Sequence, residues 1–205
     1  MSTTFATQAD QALSRTPDHE IAPFFWERWS SRSFSVEEIP DAVLFQLFEA
    51  ARWAPSGGNR QPWRFVYAKR DSAAWPMFVD LLNERNRVWA SKAAALVFVV
   101  SQSLIERDGE LAPVPNHAFD AGAAWLSLAL QATLLGWNTR AMGGIDRQRA
   151  QATLEVPDNF WVNIAIAIGK RGVKDGLPEE FHAGEIPNPR RPLAEIVAEG
   201  RFPQG

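Results

Sequence analysis

The chain has 205 residues, 46% of them hydrophobic and 22% charged, which is ordinary for a globular domain. Its net charge of −3 gives no support for binding to nucleic acid or anionic lipid. The absence of cysteine excludes disulfides and a cysteine nucleophile, and the three histidines lack zinc-site spacing. The longest apolar run, residues 93–100, is too short to span a bilayer, and no signal-peptide pattern precedes it. We therefore expect a cytoplasmic protein without membrane or nucleic-acid partners.

The amino-terminal half alternates between helical and strand-like patterns. Residues 1–20 are polar and are expected to be flexible, and residues 21–205 are expected to form a single domain. Apolar spacing and turn residues predict three helices and two strands in this half: helices over 22–29, 40–53 and 74–90, strands over 63–68 and 95–100. The Gly- and Pro-containing stretch 104–116 reads as a loop.

The second half begins with residues 119–137, which are apolar almost all round and predict a buried central helix. A short strand containing residues 138–142 follows, then a helix over 146–156 capped by Asp146, then a strand over 161–169. Residues 170–205 carry little periodicity and must pack on the domain or on a partner. Helices and strands are mixed without regular alternation, so we predict the α+β class.

The stretch "APSGGNRQPW" between the helix over 40–53 and the next strand is unusually rich in glycine and amides. Pro55, Gly57 and Gly58 can bring backbone N–H groups close to a ligand. Asn59 and Gln61 each offer two donors and one acceptor, which suits a flat heterocycle with ring carbonyls and nitrogens. The alternative is a plain helix-to-strand turn in which both amides satisfy backbone groups.

Three further clusters carry polar or glycine-rich patterns. Arg28 and Arg32 flank two serines, and two guanidinium groups with hydroxyls suit a phosphate monoester. "NPRRPL" near the end is another candidate anion contact, and "AMGGID" places two glycines at a predicted strand end. A solvated helix end, an exposed basic turn and an ordinary turn are the respective alternatives.

In their order and spacing these clusters resemble the nitroreductase family of FMN enzymes. The matching elements are "RWSSR", "APSGGNRQPW", the glycine pair after the long helix and "RRPL", and the resemblance runs from about residue 25 to residue 197. It implies a central, mostly antiparallel sheet flanked by helices. It also implies an intertwined homodimer with an exchanged C-terminal tail, in which residues 170–205 extend over the partner subunit.

The resemblance also implies which residues bind FMN. Arg28, Ser30 and Arg32 match phosphate and ribityl contacts, with Trp29 contributing its backbone, and Arg190 matches a late phosphate contact, with Arg191 one residue away. The other matches concern the flavin ring. Pro55, Ser56 and Gly57 match a turn that the partner subunit packs on the flavin, and Asn59 matches an amide that bonds the ring or ribityl chain, with Gln61 beside it. The backbone N–H of Gly143 matches a group near flavin N5, and Met142 and Gly144 adjoin it.

Two positions depart from the family pattern. Many relatives have a basic residue where Trp29 stands and a lysine where Asn188 stands, so the resemblance implies less positive charge at the phosphate here. Some members also have a glutamate at the position of Gly143.

The function implied is FMN-dependent reduction of nitroaromatic, quinone or related planar acceptors by NAD(P)H in a ping-pong cycle, without a catalytic side chain. Four rings near the expected site could stack on an acceptor, although a position in the core is the favoured alternative for each: Phe78, Trp89, His117 and Phe119. The alternatives are an FMN carrier or sensor without turnover, a specialised flavin dehydrogenase or dehalogenase, and a hydrolase using His182 with Glu179 or Glu180.

Overall fold

The computed structural model describes residues 15–203 and contains a four-stranded antiparallel sheet. Most of the segment expected to be flexible, residues 1–14, lies outside this range. The strands are β1 (Trp63–Lys69), β2 (Ala95–Gln102), β3 (Leu104–Arg107), β4 (Glu110–Pro113), β5 (Asn138–Met142) and β6 (Phe160–Gly169). The sheet has the order β1-β2-β6-β5, and every neighbouring pair is antiparallel. The predicted α+β class with a central antiparallel sheet is confirmed.

Within residues 15–203, six helices flank the sheet. They are α1 (Phe24–Glu27), α2 (Asp41–Arg52), α3 (Trp75–Asp80), α4 (Glu84–Ala90), α5 (His117–Leu134) and α6 (Arg147–Thr153). Apolar side chains of α2 and α5 cover one face of β2 and β6, and those of α3, α4 and α6 cover the other. The sheet is buried on both faces because side chains of successive strand residues point to opposite sides, as Val97 and Phe98 do.

The prediction of one helix over residues 74–90 was wrong, because the helix breaks after Asp80. Asn83 has an extended backbone and caps α4 by accepting the Asn86 N–H at 2.9 Å. Leu82 forms an isolated antiparallel bridge with Ile145. This long-range pairing outweighs the local helical pattern.

The loop prediction for residues 104–116 was also wrong, because β3 and β4 pair there as a hairpin. Asp108 and Gly109 form its turn with φ of 53° and 84°. Asp-Gly is the typical two-residue hairpin signal, and the sequence interpretation overlooked it.

The long helix α5 is not buried all round within one chain. One side of the helix faces the core, where Ala121, Ala124 and Leu128 are buried. On the opposite side Phe119 is 80% exposed and Leu134 60%. The apolar sequence therefore covers two surfaces, of which this chain buries only one.

The C-terminal segment divides into two parts after Glu185. Leu177 and Phe181 join the core around Trp89, and Glu185 is itself buried. Nearly every residue from position 186 to 202 is exposed or half-buried, including apolar ones. Within residues 170–203, the first part therefore packs on its own chain, whereas the second part, from residue 186 onward, contains no buried residue.

Candidate functional site

The predicted phosphate segment, residues 28–34, runs along the outer edge of β5. The Asn138 side-chain amide donates to the Ser31 carbonyl at 3.2 Å, and the Arg140 guanidinium donates to the Ser30 carbonyl. Phe34 forms an antiparallel bridge with Arg171. These contacts fix the segment against the sheet, so its arginine side chains start from a defined position.

The buried carboxylate of Glu185 anchors the same segment from the C-terminal side. Its two oxygens accept the Arg32 N–H at 2.9 and 3.0 Å, and one of them accepts the Ser33 N–H at 2.9 Å and the Ser31 hydroxyl. Glu185 is only 7% exposed. The sequence interpretation missed this residue because it lies about 150 positions from its partners.

Several guanidinium groups gather around this segment. Arg28 is half-buried and donates to the Ser30 hydroxyl at 3.3 Å; burial and the nearby Arg190 lower its pKa. Burial and the nearby Arg32 lower the pKa of Arg140 to about 10, although Glu185 acts in the opposite sense. The edge of β5 therefore carries a concentrated positive charge.

Arg190 and Arg191 point to different surroundings. Arg190 lies close enough to Arg28 to add to the effect of burial in lowering the pKa of Arg28. Arg191 instead forms an exposed ion pair, with its Nη1 3.6 Å from Oε2 of Glu195. Of the two, Arg190 is therefore the one beside the predicted phosphate segment.

Trp29 and Arg32 have structural contacts that the sequence did not indicate. The Trp29 ring is 8% exposed and lies 4.9 Å beneath the Arg171 guanidinium. Arg32 reaches the Gly184 carbonyl at 3.5 Å and stacks on Phe181 at 5.6 Å. The hydrophobic side chain at position 29 therefore supports a neighbouring cation.

The glycine pair follows β5 on the same edge of the sheet, and the two glycines differ in their surroundings. A Cβ on Gly143 would meet no atom within 4 Å, whereas one on Gly144 would lie 2.3 Å from the Asn83 amide nitrogen. The Gly144 carbonyl also accepts the Asn83 N–H at 3.0 Å. Met142 is buried beneath them. Gly144 is thus required by packing, while Gly143 leaves open space at the strand end.

The loop 55–61 folds as a tight turn that is held by hydrogen bonds between its own residues. The Ser56 hydroxyl accepts the Gln61 N–H at 2.9 Å, and the Gln61 amide donates to the Asn59 carbonyl at 3.2 Å. Asn59 and Gln61 have φ of 53° and 49°, a region that bulky residues seldom adopt. Pro55 is exposed, as are both amide-bearing residues. Strained backbone of this kind concentrates at functional sites.

The start of α5 holds this loop in place. The Gly57 N–H donates at 3.1 Å to the carboxylate of Asp120, which is only 4% exposed. The Asn116 amide lies 3.7 Å from the Cβ position of Gly57. Asp120 therefore positions the loop, a role that the sequence interpretation did not assign.

The sheet order separates the predicted cofactor residues into two groups. The loop 55–61 precedes β1 at one edge, and Gly143 follows β5 at the other. Three strand spacings of about 4.8 Å put the edges roughly 14 Å apart. One chain thus brings Arg28, Ser30, Arg32 and the glycine pair to one edge and the loop 55–61 to the other.

The four rings considered for acceptor stacking have different surroundings. Phe78 and Trp89 are 2% and 1% exposed and belong to the core, so of the two interpretations the core position is the correct one for them. Phe119 is largely exposed. The His117 Nδ1 lies 2.7 Å from the hydroxyl of buried Ser101, which the Asn163 amide also contacts at 2.7 Å.

Neither a metal site nor a membrane span is present in the described part of the chain. Between residues 15 and 203 no group of carboxylates and histidines could hold a metal ion. Over the same range no helix is both long and apolar enough to cross a bilayer.

Comparison with known proteins decides the family. A crystal structure of an FMN-containing oxidoreductase is 46% identical over 92% of this chain and 96% of its own, with a TM-score of 0.89. The model of the Nitroreductase family matches residues 26–88, which include the phosphate segment and the loop 55–61. The chain belongs to the nitroreductase family. The resemblance recognised in the sequence is confirmed.

Other nitroreductase relatives agree with this assignment. A protein from Streptomyces coelicolor named as an NADH dehydrogenase/NAD(P)H nitroreductase is 31% identical over half of this chain and half of its own length. A relative of the same name from Archaeoglobus fulgidus is 26% identical over 73% of this chain and 84% of its own. A nitroreductase structure from Desulfovibrio desulfuricans, in complex with FMN, is 26% identical over 90% of this chain and all of its own, with a TM-score of 0.68.

Proposed function

We propose that this nitroreductase-family chain is an FMN-dependent oxidoreductase that takes electrons from NAD(P)H and reduces nitroaromatic, quinone or related planar acceptors by a ping-pong cycle. The observation that carries the proposal is the β5 edge, where guanidinium groups lie beside an open glycine. The names of the relatives support the same cofactor and electron donor.

The residues at this edge fit the phosphate end of FMN. A phosphate monoester carries nearly two negative charges and accepts several hydrogen bonds, which Arg28, Ser30 and Arg190 can supply. Arg32 and Arg140 add positive charge nearby, and after burial it is Arg32 that lowers the pKa of Arg140. The pKa of Arg28 is lowered first by burial and then by Arg190, and a bound anion would relieve the repulsion between these two cations.

The remaining residues fit a planar ring. Gly143 has open space at its Cβ position, so a flat group can approach its backbone closely. The amides of Asn59 and Gln61 are exposed and can bond ring carbonyls and nitrogens. FMN held by these residues would supply the hydride and electron transfer between the nicotinamide and the acceptor. The protein residues bind and orient the cofactor, and no side chain is assigned a catalytic role.

A homodimer with composite sites follows from the separation of the two groups of residues. If a second copy brought its own loop 55–61 to the β5 edge, each site would have both the phosphate and the ring contacts. The exposed apolar side chains of α5 and of residues 186–203, such as Phe119, Ile196 and Phe202, give that copy a surface to cover. We propose that the tail beyond Glu185, rather than all of residues 170–205, extends over the partner.

The visible spectrum of the purified protein tests the function directly. We expect a flavin band that bleaches when NADH or NADPH is added without oxygen, and that returns when a quinone or nitroaromatic follows. A flavin band that neither nucleotide bleaches would contradict the oxidoreductase proposal and favour an FMN carrier. Absence of flavin after incubation with FMN would contradict both.

The phosphate assignment has its own test. Replacing Arg28 and Arg32 by alanine should strip FMN, whereas replacing the exposed pair Arg52 and Arg149 should not. Unchanged flavin occupancy in the first double variant would refute the assignment.

The dimer proposal is tested by removing only the exposed part of the tail. Truncation after Arg191 keeps Phe181, Glu185 and Arg190 but deletes Ile196 and Phe202. We expect the full chain to sediment as a dimer and the truncated chain to lose both dimerisation and FMN. A truncated monomer that retains its full flavin content would refute composite sites.

A further inference from the structure

We propose that Arg15 is a further phosphate-binding residue of the FMN site, acting with Arg28 in a cavity near the carboxyl end of α5. This inference rests on the proposed function, because FMN supplies the phosphate. It concerns a residue outside the sequence motifs and outside the region that the family model matches, which begins at residue 26.

The cavity supplies the geometric basis. It has a volume of about 80 Å³, enough for a phosphate group, and both Arg15 and Arg28 line it. Its other walls come from α1, from the turn after α5 and from the C-terminal segment: Trp26, Glu27, Trp29, Thr133, Gly136, Trp137, Asn138, Arg171 and Pro187. Three arginines and one carboxylate therefore face a single small space.

The Arg15 side chain is held in position by the backbone carbonyl of Arg28. One of its terminal nitrogens donates to the Arg28 carbonyl at 2.9 Å, and the residue is only 9% exposed. A guanidinium has five N–H donors, so a single bond to a carbonyl leaves others for an anion.

The charges in this region favour an anionic ligand. The pKa of Arg15 is lowered, first by burial and then by the nearby Arg190 and Arg28. Three guanidinium groups that repel one another remain close together, and a phosphate between them would convert the repulsion into attraction. Arg15 thereby supplies charge that the departures at Trp29 and Asn188 remove.

Trp29 provides a second, independent observation. Its indole N–H is buried and has no hydrogen-bond partner among residues 15–203, and the residue lines the same cavity. A buried donor without an acceptor costs free energy, and a bound phosphate oxygen would satisfy it. The cavity thus offers an unsatisfied neutral donor as well as positive charge.

The test compares FMN with riboflavin, which lacks the phosphate. We would measure both dissociation constants by flavin fluorescence quenching for the wild type, Arg15→Ala, Arg15→Gln, Arg15→Lys and the control Arg52→Ala. The readout is the ratio of the riboflavin constant to the FMN constant. We expect Arg15→Ala to reduce this ratio about tenfold, because a charged hydrogen bond to the phosphate is lost.

The other variants separate charge from structure. Arg15→Gln keeps a donor for the Arg28 carbonyl but loses the charge, so its ratio should fall as in Arg15→Ala. Arg15→Lys should recover part of the ratio, and Arg52→Ala should match the wild type. A ratio unchanged in Arg15→Gln, or an equal weakening of both flavins, would overturn the inference alone. A wild type that binds neither flavin would overturn the proposed function as well.

Discussion

Replacing Glu185 by alanine tests how the C-terminal segment supports the candidate site. The carboxylate accepts two backbone N–H groups and one hydroxyl from residues 31–33, and Ser31 and Ser33 are 0% and 4% exposed. Alanine would leave the Arg32 N–H without its acceptor. The Ser31 hydroxyl and the Ser33 N–H would lose their charged partner and keep only the bonds that they make to each other's residue, at 3.3 and 3.1 Å. Each lost hydrogen bond to the carboxylate costs about 1–3 kcal/mol. Relief of the desolvation of the carboxylate offsets part of that cost. We expect a net loss of about 3 kcal/mol in the free energy of unfolding.

The loss is measurable by urea denaturation at a fixed protein concentration, and for a chain of this length it lowers the melting temperature by roughly 6–12 °C. Glu185→Gln keeps one carbonyl oxygen and should lose about half as much. Glu180→Ala, which removes an exposed carboxylate from the neighbouring turn, should change stability by less than about 0.5 kcal/mol. If Glu185→Ala behaved like Glu180→Ala, the anchoring role would be refuted.

Three further predictions concern the two edges of the sheet. Gly144→Ala should destabilise the fold by about 1–3 kcal/mol in thermal denaturation, because its Cβ would collide with the Asn83 side chain, whereas Gly143→Ala should melt like the wild type. Asp120→Ala should lower the free energy of unfolding by about 1–3 kcal/mol, because it removes the acceptor of the Gly57 N–H. It should also increase proteolytic cleavage in the loop 55–61, and cleavage equal to that of the wild type would contradict this role. FMN affinity should fall as pH drops from 7 to 5, because a phosphate monoester takes up a proton near pH 6. FMN affinity should stay level between pH 7 and 8.5, because Arg140, with its pKa of about 10, remains charged there. Riboflavin affinity should not depend on pH over either range.

Local patterns gave the elements with strong periodicity and clear ends. The β6 alternation of isoleucine with alanine, the Asp146 cap and the apolar spacing of α2 all depend on residues within a few positions of one another. The same approach failed where distant contacts decide. The break between α3 and α4 depends on the pairing of Leu82 with Ile145, which no local window contains.

The candidate site shows the same division. The sequence alone determined that the composition is ordinary for a globular domain and that disulfides and a cysteine nucleophile are excluded. It also contains the motifs at residues 28–32 and 55–61 that identify the family. These features are short and local, so they can be read in one dimension.

Only the tertiary structure decided how those motifs are supported and how far apart they lie. Glu185, Asp120 and Arg15 act on residues 13 to 154 positions away, and each depends on burial that composition does not reveal. Strand order, which depends on how the whole sheet pairs, puts the loop 55–61 and Gly143 at opposite edges. Hydrogen bonds and charge interactions act over a few ångströms in space, whereas the sequence records only separation along the chain.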